Sequence, residues 1–469
     1  MDMREFAERI FLNLPYDPNS QQIQLIAALA KFCASDSVGD SVFLLNGYAG
    51  TGKTSLTGAL VRALREVKVP VVLLAPTGRA AKVFGAFARH AASTIHRRIY
   101  SPPKPGVMEF AGTVNENNLR NAVFIVDEAS MIGGASGERN DLLADLIYYV
   151  YSGEGCRMIL LGDTAQLPPV GCDESPAMKV DVLRSFGLKV TRAVMTEIVR
   201  QGRASGILAN ATWLRKAMLV DPLPEPVVHK LKYSDVRVMS GEDLADDISA
   251  SYADAGVDET IVITRSNKRA MLFNLAIRSK ILYREEELCR DERLMVAKNN
   301  YLWSAKVKGL DFIANGDVAT VSAIHSTEEK YGLRFADVTL TLPDRDISVD
   351  CKIVLDALTS DSPALDHVKS GELYAAILND PELFAYDVPM SVRMKMLRSD
   401  PYYNALQVKY AYAVTCHKSQ GGQWSDVYVD IGYVQPEAQG IEFYRWLYTA
   451  VTRATHKLSF VNPNLKVIE

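Results

Sequence analysis

The segment Gly47-Tyr-Ala-Gly-Thr-Gly-Lys53-Thr54 fits G-x-x-x-x-G-K-[ST] at every fixed position. In that spacing the glycines let the backbone curl, so that amides from Gly47 through Tyr48, Ala49, Gly50, Thr51 and Gly52 to Ser55 surround phosphate oxygens. Lys53 is then placed to reach the β- and γ-phosphates, and the Thr54 hydroxyl to hold Mg²⁺. Asp127-Glu128 follows an apolar run. A carboxylate there completes a Mg²⁺ shell, and Glu128 beside it is positioned to orient or deprotonate a water. Further on, Leu160-Leu-Gly-Asp-Thr-Ala-Gln-Leu-Pro-Pro-Val-Gly171 sets Asp163 and Gln166 at another strand end. Arg200 and Arg453 are candidates for the γ-phosphate, and a guanidinium delivered from a second domain would make catalysis depend on closure. Together these residues point to Mg-dependent hydrolysis of a nucleoside triphosphate.

The elements that must position them alternate. Ser41–Asn46, 70–75, 123–127 and 157–162 are short continuous apolar strands, with helical runs at 54–67 and 79–91. Such runs separated by helices indicate a parallel sheet covered on both faces. A second set begins at strand 259–264 and helix 268–281, and resumes with strands 408–414, 426–431 and 458–461. Between them, 283–405 reads differently. Alternating strands at 311–314, 317–324, 335–342 and 347–355, with a turn at Asn315-Gly316, suggest a small β-barrel or hairpin stack, and 362–397 reads as acidic and helical. The plan is a first domain over 1–215, a second built from 230–282 and 406–469, and an insertion over 283–405.

The chain has 469 residues with a net charge of −4, and neither composition nor charge announces a polyanion partner. The charge is uneven: 283–405 carries 14 Lys and Arg against 21 Asp and Glu, leaving the rest at +3. A nucleic acid would therefore avoid the face of the acidic stretch. No apolar run is long enough to span a membrane, the first residues lack a signal-peptide pattern, and the six cysteines form no C-x-x-C pair. These features fit a soluble protein of a reducing, cytoplasmic compartment. Cys416-His417 has no further ligands at zinc spacing, so a metal site is not expected there.

Gln22, Gly47–Thr54, Ala75-Pro-Thr-Gly-Arg-Ala-Ala-Lys82, Ser93-Thr-Ile-His96, Asp127-Glu128, Gly162-Asp-x-x-Gln166, Arg200, His417-Lys-Ser-Gln-Gly421 and Val451-Thr-Arg453 occur in one collinear series. In this order they resemble the superfamily 1B DNA helicases of the RecD/Dda type, over about residues 15–460. The resemblance implies two RecA-like P-loop motor domains, a pin insertion at 97–121 and an SH3-like part in 283–405. It implies that Gln22 reads adenine, favouring ATP, that Gln166 links γ-phosphate to the DNA site, and that Arg200 and Arg453 are arginine fingers. Thr77, Thr94 and His96 match positions contacting a single strand on the first motor domain. Thr264, Asn267, Thr415, His417, Lys418, Ser419 and Gln420 match such positions on the second. Short hydroxyl, amide and imidazole groups at strand ends bind phosphates without reading bases.

The implied activity is ATP-driven 5′→3′ travel on single-stranded DNA, unwinding duplexes that carry a 5′ tail. A monomer is expected, working with replication, repair or recombination proteins. Phe110 or Tyr100 would tip the pin, or pack inward. The residues leave other classes open: a P-loop ATPase that does not act on nucleic acid, a non-catalytic nucleic-acid-binding subunit, or the motor of a helicase–nuclease whose nuclease is another chain.

Overall fold

The computed structural model describes residues 2–34, 40–100, 114–133, 141–198, 205–230, 233–305, 307–310, 312–343, 346–385 and 387–468. Arg200, Phe110 and the body of the expected pin lie outside the described residues.

The apolar strands pair as their composition dictates. Six parallel strands form the first sheet, in the order 92–94, 71–75, 123–126, 157–162, 41–47 and 189–195. Alternate side chains point to opposite faces. Phe43, Leu45, Ile125, Ile159 and Leu161 meet the helices Met3–Leu12, Ser20–Ala34 and Lys53–Glu66 on one face. Val42, Leu44, Phe124, Val126 and Leu160 meet Leu142–Ser152 on the other. The strand ends carrying the phosphate loop, Asp127 and Asp163 therefore emerge side by side at one edge.

The second sheet is also parallel, in the order 413–415, 260–264, 424–430, 454–461 and 236–239. The helix Gly206–Ala217, at the end of the expected first domain, packs in the core of this sheet through Ile207, Ala211 and Leu214. Its amphipathic pattern fits either sheet, and only the packing chooses.

Strands 293–296, 318–330, 333–342, 347–354 and 406–410 close a barrel, as the turn at Asn315-Gly316 suggested. The expected strand 408–414 is split: 406–410 closes the barrel, whereas 413–415 edges the second sheet. One unbroken apolar run hides that division, and the barrel's last strand lies beyond the boundary expected at 405. The acidic part forms two helices, His367–Leu378 and Met390–Leu397, on the outside of the barrel around Phe335, Val354 and Leu373.

A buried charge cluster fixes the barrel to the motor. Glu292, fully buried, is 3.0 Å from Arg278 and 3.1 Å from Arg284, and accepts a 2.9 Å bond from Tyr412. Removing one partner of such a pair strands a buried charge, typically at a cost of about 3–5 kcal/mol.

At the same junction a cavity of about 50 Å³ is lined by Asn267, Met271, Thr415, Lys418 and Lys409. The Lys409 ammonium donates to the Ser360 carbonyl at 2.7 Å, and burial lowers its pKa from 10.5 to about 8. The unfolded chain thus binds this proton more readily between pH 8 and 10.5, so the group's contribution to stability rises across that window. Thermal melts should show wild type gaining on Lys409→Met as pH rises from 8 to 10. A difference that does not change with pH would contradict this.

Candidate active site and strand-binding loops

The phosphate loop joins strand Ser41–Gly47 to helix Lys53–Glu66, and Gly50 has φ +77°, which favours glycine. A Cβ at Gly50 would also lie 2.8 Å from Leu208, on a helix of the second unit. Lys53 Nζ is 3.9 Å from Asp127 Oδ1. Burial pulls the Lys53 pKa down, but Asp127, Glu128 and Asp163 together outweigh it and the net shift is upward. Burial raises the pKa of Asp127 and of Asp163, which Lys53 opposes. Three carboxylates thus act on Lys53 together with the positive Arg453, and among the described residues no group of three or more carboxylate, histidine or cysteine side chains is placed to hold a metal ion by itself.

Glu128 occupies the left-handed region at φ +52°, sparsely populated by non-glycine residues. Its Oε2 is buried without a hydrogen-bond partner among the described residues, as is Gln166 Oε1. Orphaned acceptors of this kind are costly in a core and cluster where a ligand or water is handled. Gln22 is buried, and its amide donates to the Thr51 carbonyl at 3.2 Å and to Tyr16 at 3.2 Å. It therefore braces the phosphate loop.

The second unit closes over this edge. The Ala49 amide donates to Tyr448 Oη at 3.0 Å, Tyr448 donates to Asp163 Oδ2 at 2.7 Å, and the Leu167 amide donates to Thr449 Oγ1 at 2.8 Å. Arg453 follows the same helix, Ile441–Val451. Its buried guanidinium donates to the carbonyls of Thr449 at 3.0 Å and Gly422 at 3.1 Å, and to Thr452 Oγ1 at 3.2 Å. Its positive charge is felt at Lys53.

The strand-contact candidates divide. Thr77 caps helix Gly78–Ala88 and Thr94 caps Ile95–Ile99, each through its hydroxyl, while His96 rests near Tyr100, ring centroids 5.7 Å apart. Asn267, Thr415, His417 and Lys418 reach solvent on the second unit, and Lys418 donates to Asn315 at the barrel's first turn. Four candidates are buried, the capping Thr94 among them at 6% exposed. Thr264 is fully buried and bonds the Ser266 carbonyl at 3.1 Å, and Ser419 is buried and bonds the Cys416 carbonyl at 2.7 Å. Gln420 is buried and donates to the Leu167 carbonyl at 2.7 Å, across to the first unit. Hydroxyl and amide residues at strand ends serve equally as internal ties, so type and position could not separate these from ligand contacts. Tyr100 turns inward, donating to Asp145 at 2.7 Å.

The units are also joined by residues to which the motifs assign no such role. Arg79 lies 3.8 Å over the Trp424 ring and donates to the Gln423 carbonyl at 3.1 Å. The adjacent Gly421, at φ +72°, lets that loop approach within 2.8 Å (as a Cβ) of Ala80. Tyr448 looks like core by helical spacing. Its only signal was its place five residues before Arg453.

Two family models match the chain, one described as "AAA domain" over residues 19–220 and one as "UvrD-like helicase C-terminal domain" over 410–461. The ATP-dependent RecD2 DNA helicase of Deinococcus radiodurans is 36% identical over 135 residues, 28% of this chain and 17% of that one. The ATP-dependent DNA helicase Pif1 of a Psychrobacter species is 31% identical over 138 residues, 28% of this chain and 20% of that one. In these segments the chain is similar to helicases of the RecD and Pif1 type. It also aligns with an uncharacterized protein of Acanthamoeba polyphaga mimivirus, 22% identical over 90% of this chain and 95% of that one. Solved structures similar to the chain include Pif1 from Bacteroides in complex with ADP-AlF3 and ssDNA, at 15% identity, 96% and 94% coverage and a TM-score of 0.49. Pif1 from Candida albicans, at 16% identity, 96% and 95% coverage and a TM-score of 0.45, is another. Among the described residues no helix is long and apolar enough to cross a membrane.

Proposed function

We propose that this helicase couples Mg-ATP hydrolysis to 5′→3′ movement on single-stranded DNA and unwinds duplexes with a 5′ tail. The observation that carries this is the Gln420–Leu167 bond, 2.7 Å, which ties the loop of His417 and Lys418 directly to the segment beside Gln166. A change at the nucleotide edge is thereby transmitted to the strand-binding loop.

In this reading Gly47–Ser55 hold the triphosphate, Thr54 and Asp127 hold Mg²⁺, and Glu128 orients the attacking water. Bound Mg²⁺ would neutralise phosphate charge. Lys53 and Arg453 stabilise charge on the phosphoryl group, with Arg200 as the second finger, and Gln166 relays its state. Thr77, Thr94 and His96 grip one stretch of strand; Asn267, Thr415, His417 and Lys418 grip the next. Burial lowers the Lys418 pKa, so a phosphate there restores a favourable environment for its charge. Opening and closing of the two units then advances the grip. The protein would act as a monomer in the cytoplasm, beside replication, repair or recombination proteins. A P-loop ATPase without nucleic acid leaves Thr415, His417 and Lys418, which reach solvent together, without a purpose.

The test is ATP hydrolysis with and without single-stranded DNA, run beside unwinding of duplexes tailed at 5′ or 3′. Strong stimulation and unwinding of the 5′-tailed duplex alone are expected. Hydrolysis indifferent to DNA overturns the reading, and unwinding from 3′ tails overturns the polarity.

A further inference from the structure

Tyr448 stands in an unusual place for a core aromatic. It is 1% exposed, packed in the apolar core of the second unit, yet its hydroxyl leaves that core to meet the first. There it accepts the Ala49 amide at 3.0 Å and donates to Asp163 Oδ2 at 2.7 Å. Ala49 is the third residue of the phosphate loop, and Asp163 belongs to the carboxylate set felt at Lys53. Asp163 is itself held, its Oδ1 accepting the Ala165 amide at 3.0 Å, one residue before Gln166. The phenol is thus a neutral oxygen bonded to a backbone amide of a loop whose amides bind anions.

We propose that Tyr448 is a positioning residue that distinguishes a triphosphate from a diphosphate: its hydroxyl bonds the Ala49 amide until a terminal phosphate takes that amide over. The proposal rests on reading Gly47–Ser55 as the ATP site. The exchange favours the phosphate because an ionised acceptor makes the stronger hydrogen bond. Its consequence falls on the helix Ile441–Val451, which also carries Thr449 and leads into Arg453. Losing the Ala49 bond while keeping Asp163 lets this helix shift relative to the loop, so the finger's position follows the phosphate count.

Tyr448→Phe keeps the ring in the core and deletes the hydroxyl. Titration of the full chain in Mg²⁺ with a non-hydrolysable ATP analogue and with ADP reads the effect without turnover. The variant should bind the ATP analogue roughly three- to tenfold tighter, the scale of one net hydrogen bond, with ADP affinity unchanged. A purely structural role would move both affinities together, and that result overturns the proposal. So does weaker binding of the ATP analogue alone, which would make the hydroxyl a ligand of the phosphate. Should the variant fail to fold, hydrogen exchange on wild type decides: the ATP analogue, and not ADP, should change exchange over Ile441–Val451, and equal effects of the two overturn the proposal. Wild type that binds neither nucleotide strikes the ATP-site reading itself, a result distinct from all of these.

Discussion

Lys53→Ala is expected to lower DNA-stimulated ATP hydrolysis roughly a thousandfold, in line with deleting a preorganised charge aimed at a reacting phosphate. Lys53 is 3.9 Å from Asp127, and its charge is sustained by Asp127, Glu128 and Asp163 against the opposing effect of burial. The substitution therefore removes more than a phosphate contact, because it takes away the cation that opposes the upward shifts of Asp127 and Asp163. Those carboxylates should then ionise in the fold at greater cost. A carboxylate whose pKa is raised by folding favours the folded state more as pH falls, since the folded protein takes up the proton first. The melting temperature of Lys53→Ala should accordingly trail wild type most at pH 8, and the gap should narrow toward pH 5. Intact hydrolysis in this variant would remove the basis for the motor reading.

Arg453→Ala should lower stimulated hydrolysis on the order of 10³-fold while leaving nucleotide binding within a few-fold, as arginine fingers act on the transition state. The side chain is buried and held by the Thr449 and Gly422 carbonyls and by Thr452 Oγ1. A planar guanidinium reaches all three acceptors, whereas a single ammonium cannot, so Arg453→Lys should recover little. Gly422 lies in the loop that follows His417, so the variant should also weaken the effect of single-stranded DNA on nucleotide affinity. Parallel equilibrium titrations and steady-state hydrolysis separate the two effects. Full hydrolysis with Arg453→Ala would dismiss it as a finger.

How much was legible depended on where the information resides. Local signals carried the phosphate loop and Asp127-Glu128, because both need only a strand, a turn and a helix start that neighbouring residues specify. The barrel was legible through its alternation and the Asn315-Gly316 turn. An amphipathic helix names no partner, so the packing of Gly206–Ala217 against the second sheet was not legible. A hydroxyl or amide does not reveal whether its bond goes inward, so the burial of Thr94, Thr264, Ser419 and Gln420 was not legible.

By itself the sequence determined the nucleotide chemistry, the parallel α/β architecture and the order of the motifs, since each rests on residue types within a few positions of one another. Tertiary structure alone decided which groups meet across the cleft. Ala49 and Tyr448 are 399 residues apart and Gln420 and Leu167 are 253 apart. Arg79 and the Gln423 carbonyl are separated by 344. Contacts over such separations depend on how two finished sheets pack, and no local propensity encodes the pairing.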